Sequence, residues 1–162
     1  MGKASDSSFV ARRLATDQIV GVASDAYLRR HGKPQTFADL AGHVSLRLSW
    51  EAAHPRWRFR GPSDPSPLRL RGNLVASDAA VVREAAILGL GLAWLPSHCV
   101  ADDVRAGLLT RVLESADLPK LPISVVYHEQ RKLPLRVRRF VDFVVERFSS
   151  REWRAKGLLV DG

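Results

Sequence analysis

The chain has 162 residues, 46% of them hydrophobic, enough to bury the core of one domain or of two small lobes that share a connection. The formal net charge is +8, but no helix-turn-helix, zinc-finger spacing or aromatic RNA-binding motif accompanies the arginines. Direct nucleic-acid binding is therefore not expected beyond what charge alone allows, which salt weakens steeply. The single cysteine, Cys99, excludes an internal disulfide framework and a multi-cysteine metal site. No apolar run is long enough to span a membrane, and the opening "MGKASDSSFVARR" has no signal-peptide h-region, so a cytoplasmic protein is expected.

In chain order, "QIVGVA" (18–23) reads as a buried strand. "SDAYLRRHG" (24–32) then has Ser24 as a helix cap and Gly32 as a stop, and "TFADLAG" (36–42) places Asp39 three residues after Thr36, a capping-box spacing ending at Gly42. "VSLRL" (44–48) is a strand, and "RWRFR" (56–60) and "LRLRGNLV" (68–75) alternate as half-exposed strands should, with the proline-rich "GPSDPSP" (61–67) between them.

The segment "SDAAVVREAAILGLGLAWLP" (77–96) holds two closely spaced glycines, Gly89 and Gly91, of the kind found in phosphate-binding loops. In such a loop the glycines follow a strand and open a helix. Here the order is reversed: Ser77 or Asp78 caps a helix, Gly89 suits its left-handed end, and Leu90 to Leu95 form a buried strand closed by Pro96. "SHCVADDVRAG" (97–107) repeats the design, with Ser97 as cap and Gly107 as stop. "LTRVL" (109–113) and "ISVVYH" (123–128) are strands. In "LPLRVRRFVDFVVERF" (133–148), Val137, Phe140, Val141, Val144 and Phe148 share one helical face.

Helices alternating with strands give an α/β fold with a parallel or mixed sheet. No nucleophile elbow or P-loop is present, and His31, His43, His54, His98 and His128 show no metal-ligand spacing. Cys99 beside His98 reads as inert packing, because adjacent helical residues do not face each other. No catalytic constellation, metal or cofactor is expected, and an enzyme is not.

The ordered series "VARRLATDQIVGVASDAYLRRHGKPQTFADLAGH" (10–43), "WRFRG", "NLVASDAAVVREAAILGLGLAWLP", "GLLTRVL" and "LPLRVRRFVDFVVERF" resembles the effector-binding domain of LysR-type transcriptional regulators over about residues 6–148. It departs from the family in Asp25, where proline is usual, and in the bulk of Trp94. The resemblance implies a periplasmic-binding-protein-like (type 2) fold with one complete Rossmann-like lobe at 24–118. A partial second lobe and crossover strands would comprise 6–23 and 119–148, with flexible termini at 1–5 and 149–162. It also implies that the winged helix-turn-helix and the first half of one lobe are absent. The 133–148 helix is then expected to leave apolar surface uncovered, favouring self-association.

The implied ligand is a small, anionic effector, because free N–H groups and the macrodipole at helix starts favour a carboxylate. Ser24, Ser77 and Asp78 sit at such starts, Gly91 enters the strand that follows, and Trp50 and Trp94 offer aromatic walls, Trp50 ahead of Trp57. Cap residues commonly do no more than cap, and Asp78 would repel an anion. The implied function is effector sensing without the DNA-binding part, with homo-oligomers or full-length LysR-type relatives as partners. The alternatives are a solute-binding protein for transport, or an inactive or modulatory fragment.

Overall fold

The computed structural model describes residues 9–49, 71–72, 74–116, 118, 120–128 and 134–148. Along the chain these form β1 (Phe9–Ala23), α1 (Asp25–His31), a 3-10 turn (Ala38–Gly42), β2 (Ser45–Leu48), β3 (Val75–Ala76), α2 (Ala79–Ile87) and β4 (Leu92–Pro96). Then follow α3 (Ser97–Arg105), β5 (Thr110–Val112), β6 (Lys120–His128) and α4 (Leu135–Phe148). Trp50, Trp57, the alternating 56–60 segment, most of 68–75, the proline-rich 61–67 and both termini lie outside the described residues. Contacts divide the chain into two compact units: Gln18–Pro119, and Met1–Asp17 with Lys120–Gly162.

In the larger unit the sheet order is β3-β2-β4-β1-β5. β2 pairs in parallel with β3 and β4, whereas β1 runs antiparallel to β4 and to β5. Successive side chains of a strand face opposite sides, so one row is Val20, Val22, Leu46, Leu48, Ala93 and Leu95. These join Val82, Ala85 and Ala86 of α2, Val100 of α3 and Leu109 in one buried core. The alternate row, Ile19, Leu92 and Trp94, is just as buried. Burial on both faces explains why "LAWL" is a continuous apolar run with no alternation.

The helix ends show local sequence acting directly. Ser24 caps α1, its hydroxyl accepting from Tyr27 N–H at 3.4 Å. In α2 the cap is Asp78, whose carboxylate accepts from Ala80 N–H at 2.8 Å. α2 closes with Gly89 N–H donating to Ala86 C=O and Leu90 N–H to Ala85 C=O, and α3 repeats the pattern with Gly107 to Val104 and Leu108 to Asp103. This pair of bonds satisfies orphan carbonyls and needs a left-handed residue, met by φ of +74° at Gly89 and +73° at Gly107.

Three expectations need correction. The capping-box segment is a 3-10 turn rather than an α-helix: Asp39 accepts from both Thr36 N–H and Gln35 N–H at 2.9 Å, closing a tight local turn, and Gly42 is its last residue. Ser97 does not cap α3; Pro96 occupies that place and Ser97 is the first helical residue. β1 begins at Phe9, nine residues before the expected strand at 18, because its first half has a partner that is distant in sequence, β6.

Tyr27 ties α1 to the start of β2. Its hydroxyl accepts from Val44 N–H at 2.9 Å and shares a hydrogen bond with His43 Nδ1 at 3.2 Å, while His31 stacks on the Tyr27 ring. Burial holds the His43 imidazole below its ordinary pKa, helped by His31 and opposed by Asp39. The neutral ring is the one the fold accommodates.

In the smaller unit β6 pairs with β1, and α4 buries Val141 with Val137, Val144 and Phe148 partly covered. Phe140 on that face remains 60% exposed, and Phe143, off it, 62%.

Two outcomes follow from this packing. Gly89→Ala forces a left-handed side chain and brings its Cβ within 2.9 Å of the Arg30 guanidinium, and urea denaturation should show a loss of about 1–2 kcal/mol. Because the folded His43 pKa is depressed, the unfolded chain protonates first. Stability is therefore complete above the unfolded value of about 6.5 and declines as pH falls below it. Denaturation midpoints measured from pH 7.5 to 5.5 should drop for the wild type and drop less for His43→Gln.

Candidate functional site

The polarity of the strands decides which residues can meet. In α/β sheets ligands bind beyond the carboxyl ends of the parallel strands. Here that edge gathers the end of β2 at Ser49, the β3–α2 junction at Ser77 and Asp78, and the β4–α3 junction at Pro96, Ser97 and His98. Ser77, Asp78 and His98 are exposed there, and Ser97 is buried.

α2 and α3 start at this edge and are clamped together further along. Arg83 Nε donates to Asp103 Oδ2 at 2.6 Å, and a second guanidinium nitrogen donates to Oδ1, so the pair is bidentate. The Asp103 side chain is only 5% exposed. Its bonds raise the Arg83 pKa, so the arginine stays charged throughout the accessible range. The Asp103 carbonyl also accepts from Leu108 and Leu109 N–H, tying the clamp to the end of α3.

The two helix starts differ electrostatically. Asp78 places a carboxylate at the N-cap of α2. α3 has neither a side-chain cap nor an acidic residue in its first turn. The positive end of its dipole is thus left uncompensated by its own sequence, and it is the better of the two for an anion. Sequence reasoning took Ser97 for a mere cap and passed over His98. The signal was available: Pro96 begins the segment and the first acid is Asp102, a turn and a half later. His98 Nε2 also lies 3.4 Å from Cys99 Sγ, so these neighbours do touch.

The remaining expected site residues fall elsewhere. Because β1 is antiparallel to β4, Ser24 follows its far end, beside Gly89 and at the opposite edge from Ser77 and Asp78. Its neighbour Asp25 accepts from the Thr110 hydroxyl at 2.6 Å. Gly91 is buried at that same far edge, where an added Cβ would sit 2.6 Å from Val44 O. Trp94 lies wholly within the sheet's second face, its ring against Gly21. Trp50 lies outside the described residues. Among the described residues no group of His, Cys, Asp and Glu could hold a metal ion, and no helix is long and apolar enough to cross a membrane.

A mixed sheet with helices starting at its carboxyl edge and a clamped helix pair defines the class: an α/β domain. Comparison with known proteins sharpens it. The family model of the LysR substrate binding domain matches residues 1–149, and the chain belongs to that family. It is 31% identical to the HTH-type transcriptional regulator CrgA of Neisseria meningitidis, over 90% of this chain and 48% of that protein. It is also 31% identical to the regulator PtxR of Pseudomonas aeruginosa, over 92% and 48%. The chain thus spans about half the length of these curated relatives.

Among solved structures the CrgA regulatory domain superposes with a TM-score of 0.76 at 29% identity, covering 91% of this chain and 72% of that one. Full-length AphB, a virulence activator of Vibrio cholerae, gives 0.72 at 28% identity, covering 90% and 49%. The fold is accordingly the periplasmic-binding-protein-like type 2 arrangement of LysR regulatory domains, and the chain is an effector-binding domain of that family.

Arg83→Met should destabilise the protein by about 3 kcal/mol, because the buried Asp103 carboxylate loses its partner. The double variant R83M/D103L should regain most of that loss. Guanidinium denaturation of the three proteins checks both statements.

Proposed function

We propose that this chain is the sensing part of a LysR-type transcriptional regulator. A small anionic metabolite would bind at the carboxyl edge of the larger unit's sheet, and the bound form would bias occupancy of DNA held by a helix-turn-helix. The observation that carries this reading is the start of α3, uncapped and free of acid, beside the start of α2 and held to it by Arg83 and Asp103. Ser77 and Asp78 remain in the proposed site, with Trp50 from the sequence reading; Ser97 and His98 join it. Ser24, Gly91 and Trp94 act as scaffold. In this role the chain binds rather than catalyses and works in the cytoplasm. The proposed lobe boundaries remain 24–118 for the complete lobe, with 6–23 and 119–148 as the partial one.

None of the relatives named above is a transport protein, so a solute-binding role draws no support from them. The exposed Phe140 and Phe143 of α4 support association with a second copy or with a full-length relative.

Isothermal titration against a panel of aromatic and aliphatic carboxylates tests the site. His98→Glu puts an acid on the first turn of α3 and should weaken any binding by about tenfold or more. Asp78→Asn keeps a good cap, removes the repelling charge and should tighten binding. A panel with no binder, or equal affinity in all three proteins, removes the proposed site. For association, light scattering should show a larger species that F140S/F143S shifts toward monomer.

A further inference from the structure

A separate pocket of about 90 Å³ lies within the larger unit, on the β5 flank of the sheet. Its walls come from Gln18 to Gly21 of β1 and from Arg111 to Glu114, Ala116 and Leu118. Ser77 and Asp78 follow β3, at the other end of the strand order, with β2, β4 and β1 between. None of Ser49, Ser77, Asp78, Ser97 or His98 lines this pocket.

Three observations mark it as more than a packing gap. Arg111 contributes the only cationic side chain among the lining residues, and its Nε is buried with no hydrogen-bond partner. A guanidinium donor removed from water and left unsatisfied is disfavoured unless something else accepts from it. The acid nearest in sequence among the lining residues, Glu114, faces Lys33 across 4.0 Å and so has a cation of its own. Finally, Leu113 holds φ at +52°, a left-handed conformation that a leucine rarely adopts. Such backbone is found where the surroundings demand it, often beside a ligand.

We propose that this pocket is an accessory site for a short-chain carboxylate, held by Arg111 and independent of the effector site at the helix starts. A carboxylate fits the flat donor fork of a guanidinium, accepting from Nε and a terminal nitrogen together. Val20, on the same face of the sheet as Arg111, and Leu118 supply a little apolar wall, and the small, mostly polar lining admits a tail of only one or two carbons. Occupation satisfies the orphaned donor and, by contacting both β1 and the Val112–Glu114 segment, stabilises the folded chain by mass action.

The test uses the full chain with sodium propionate, against propionamide and sodium sulfate at matched ionic strength. The readouts are the melting temperature and the Arg111 Nε–H cross-peak in ¹H–¹⁵N spectra. Propionate should raise the melting temperature and shift that cross-peak, propionamide should do neither, and Arg111→Gln should weaken binding by about tenfold. Should Arg111→Gln fail to fold, Arg111→Lys keeps the charge without the fork and should bind propionate more weakly than wild type. An unmoved Nε–H signal overturns the proposal, as do a propionamide response equal to that of propionate and an Arg111→Lys affinity equal to wild type. Sulfate binding as well as propionate overturns the carboxylate assignment. His98→Glu should leave propionate binding at this pocket unchanged, which separates failure here from failure of the effector site.

Discussion

The larger unit depends on β4 being buried on both faces. Leu92, Ala93, Trp94 and Leu95 have no solvent-facing row, so each side of this strand must be covered by something else. α2 and α3 cover one side with Val82, Ala85, Ala86 and Val100. The other side accommodates the Trp94 ring only because position 21 on the neighbouring strand is glycine, where a Cβ would come within 2.6 Å of that ring. Its one parallel partner, β2, and one antiparallel partner, β1, then set the direction in which the neighbouring helices leave the sheet.

From this constraint the placement of the helix starts follows. Helices that leave parallel strands at their carboxyl ends bring their N-termini to one side, and the Arg83–Asp103 pair keeps two of them from sliding. This bidentate pair contributes less net stability than its Coulomb energy suggests, since the Asp103 carboxylate gives up water to form it. Its value lies in register: it fixes α2 against α3 at a point where the Asp103 carboxylate is enclosed. The electrostatic contrast between the two helix starts then comes from single residues, the carboxylate of Asp78 on one and its absence on the other.

The Tyr27–His43 contact plays a comparable part at the opposite edge. It converts a solvated hydroxyl and imidazole into a two-bond link between α1 and the entry to β2. Ser24, Gly89 and Arg30 meet beside it, Arg30 donating to Gly89 C=O at 3.1 Å, so this edge is closed by internal bonds. One end of the sheet is thereby tied by these internal bonds, while the other presents helix starts.

Much of this was legible in the linear order of residues. Ser24, Asp78, Gly89 and Gly107 marked helix boundaries because caps and left-handed stops are made by hydrogen bonds spanning two to five residues, and such bonds depend on little else. The apolar runs marked strands for the same local reason, and their alternation with helices announced the α/β class. What the chain could not disclose was the direction of β1. Strand polarity is set by pairing with segments some seventy residues away, since Val22 finds Ala93 and Ile19 finds Pro96. With that direction unknown, Ser24 and Ser77 looked like equivalent helix starts. Antiparallel pairing sends them to opposite edges, and only three-dimensional packing, through long-range backbone hydrogen bonds and a core that must be covered on both sides, decides which edge each of them occupies.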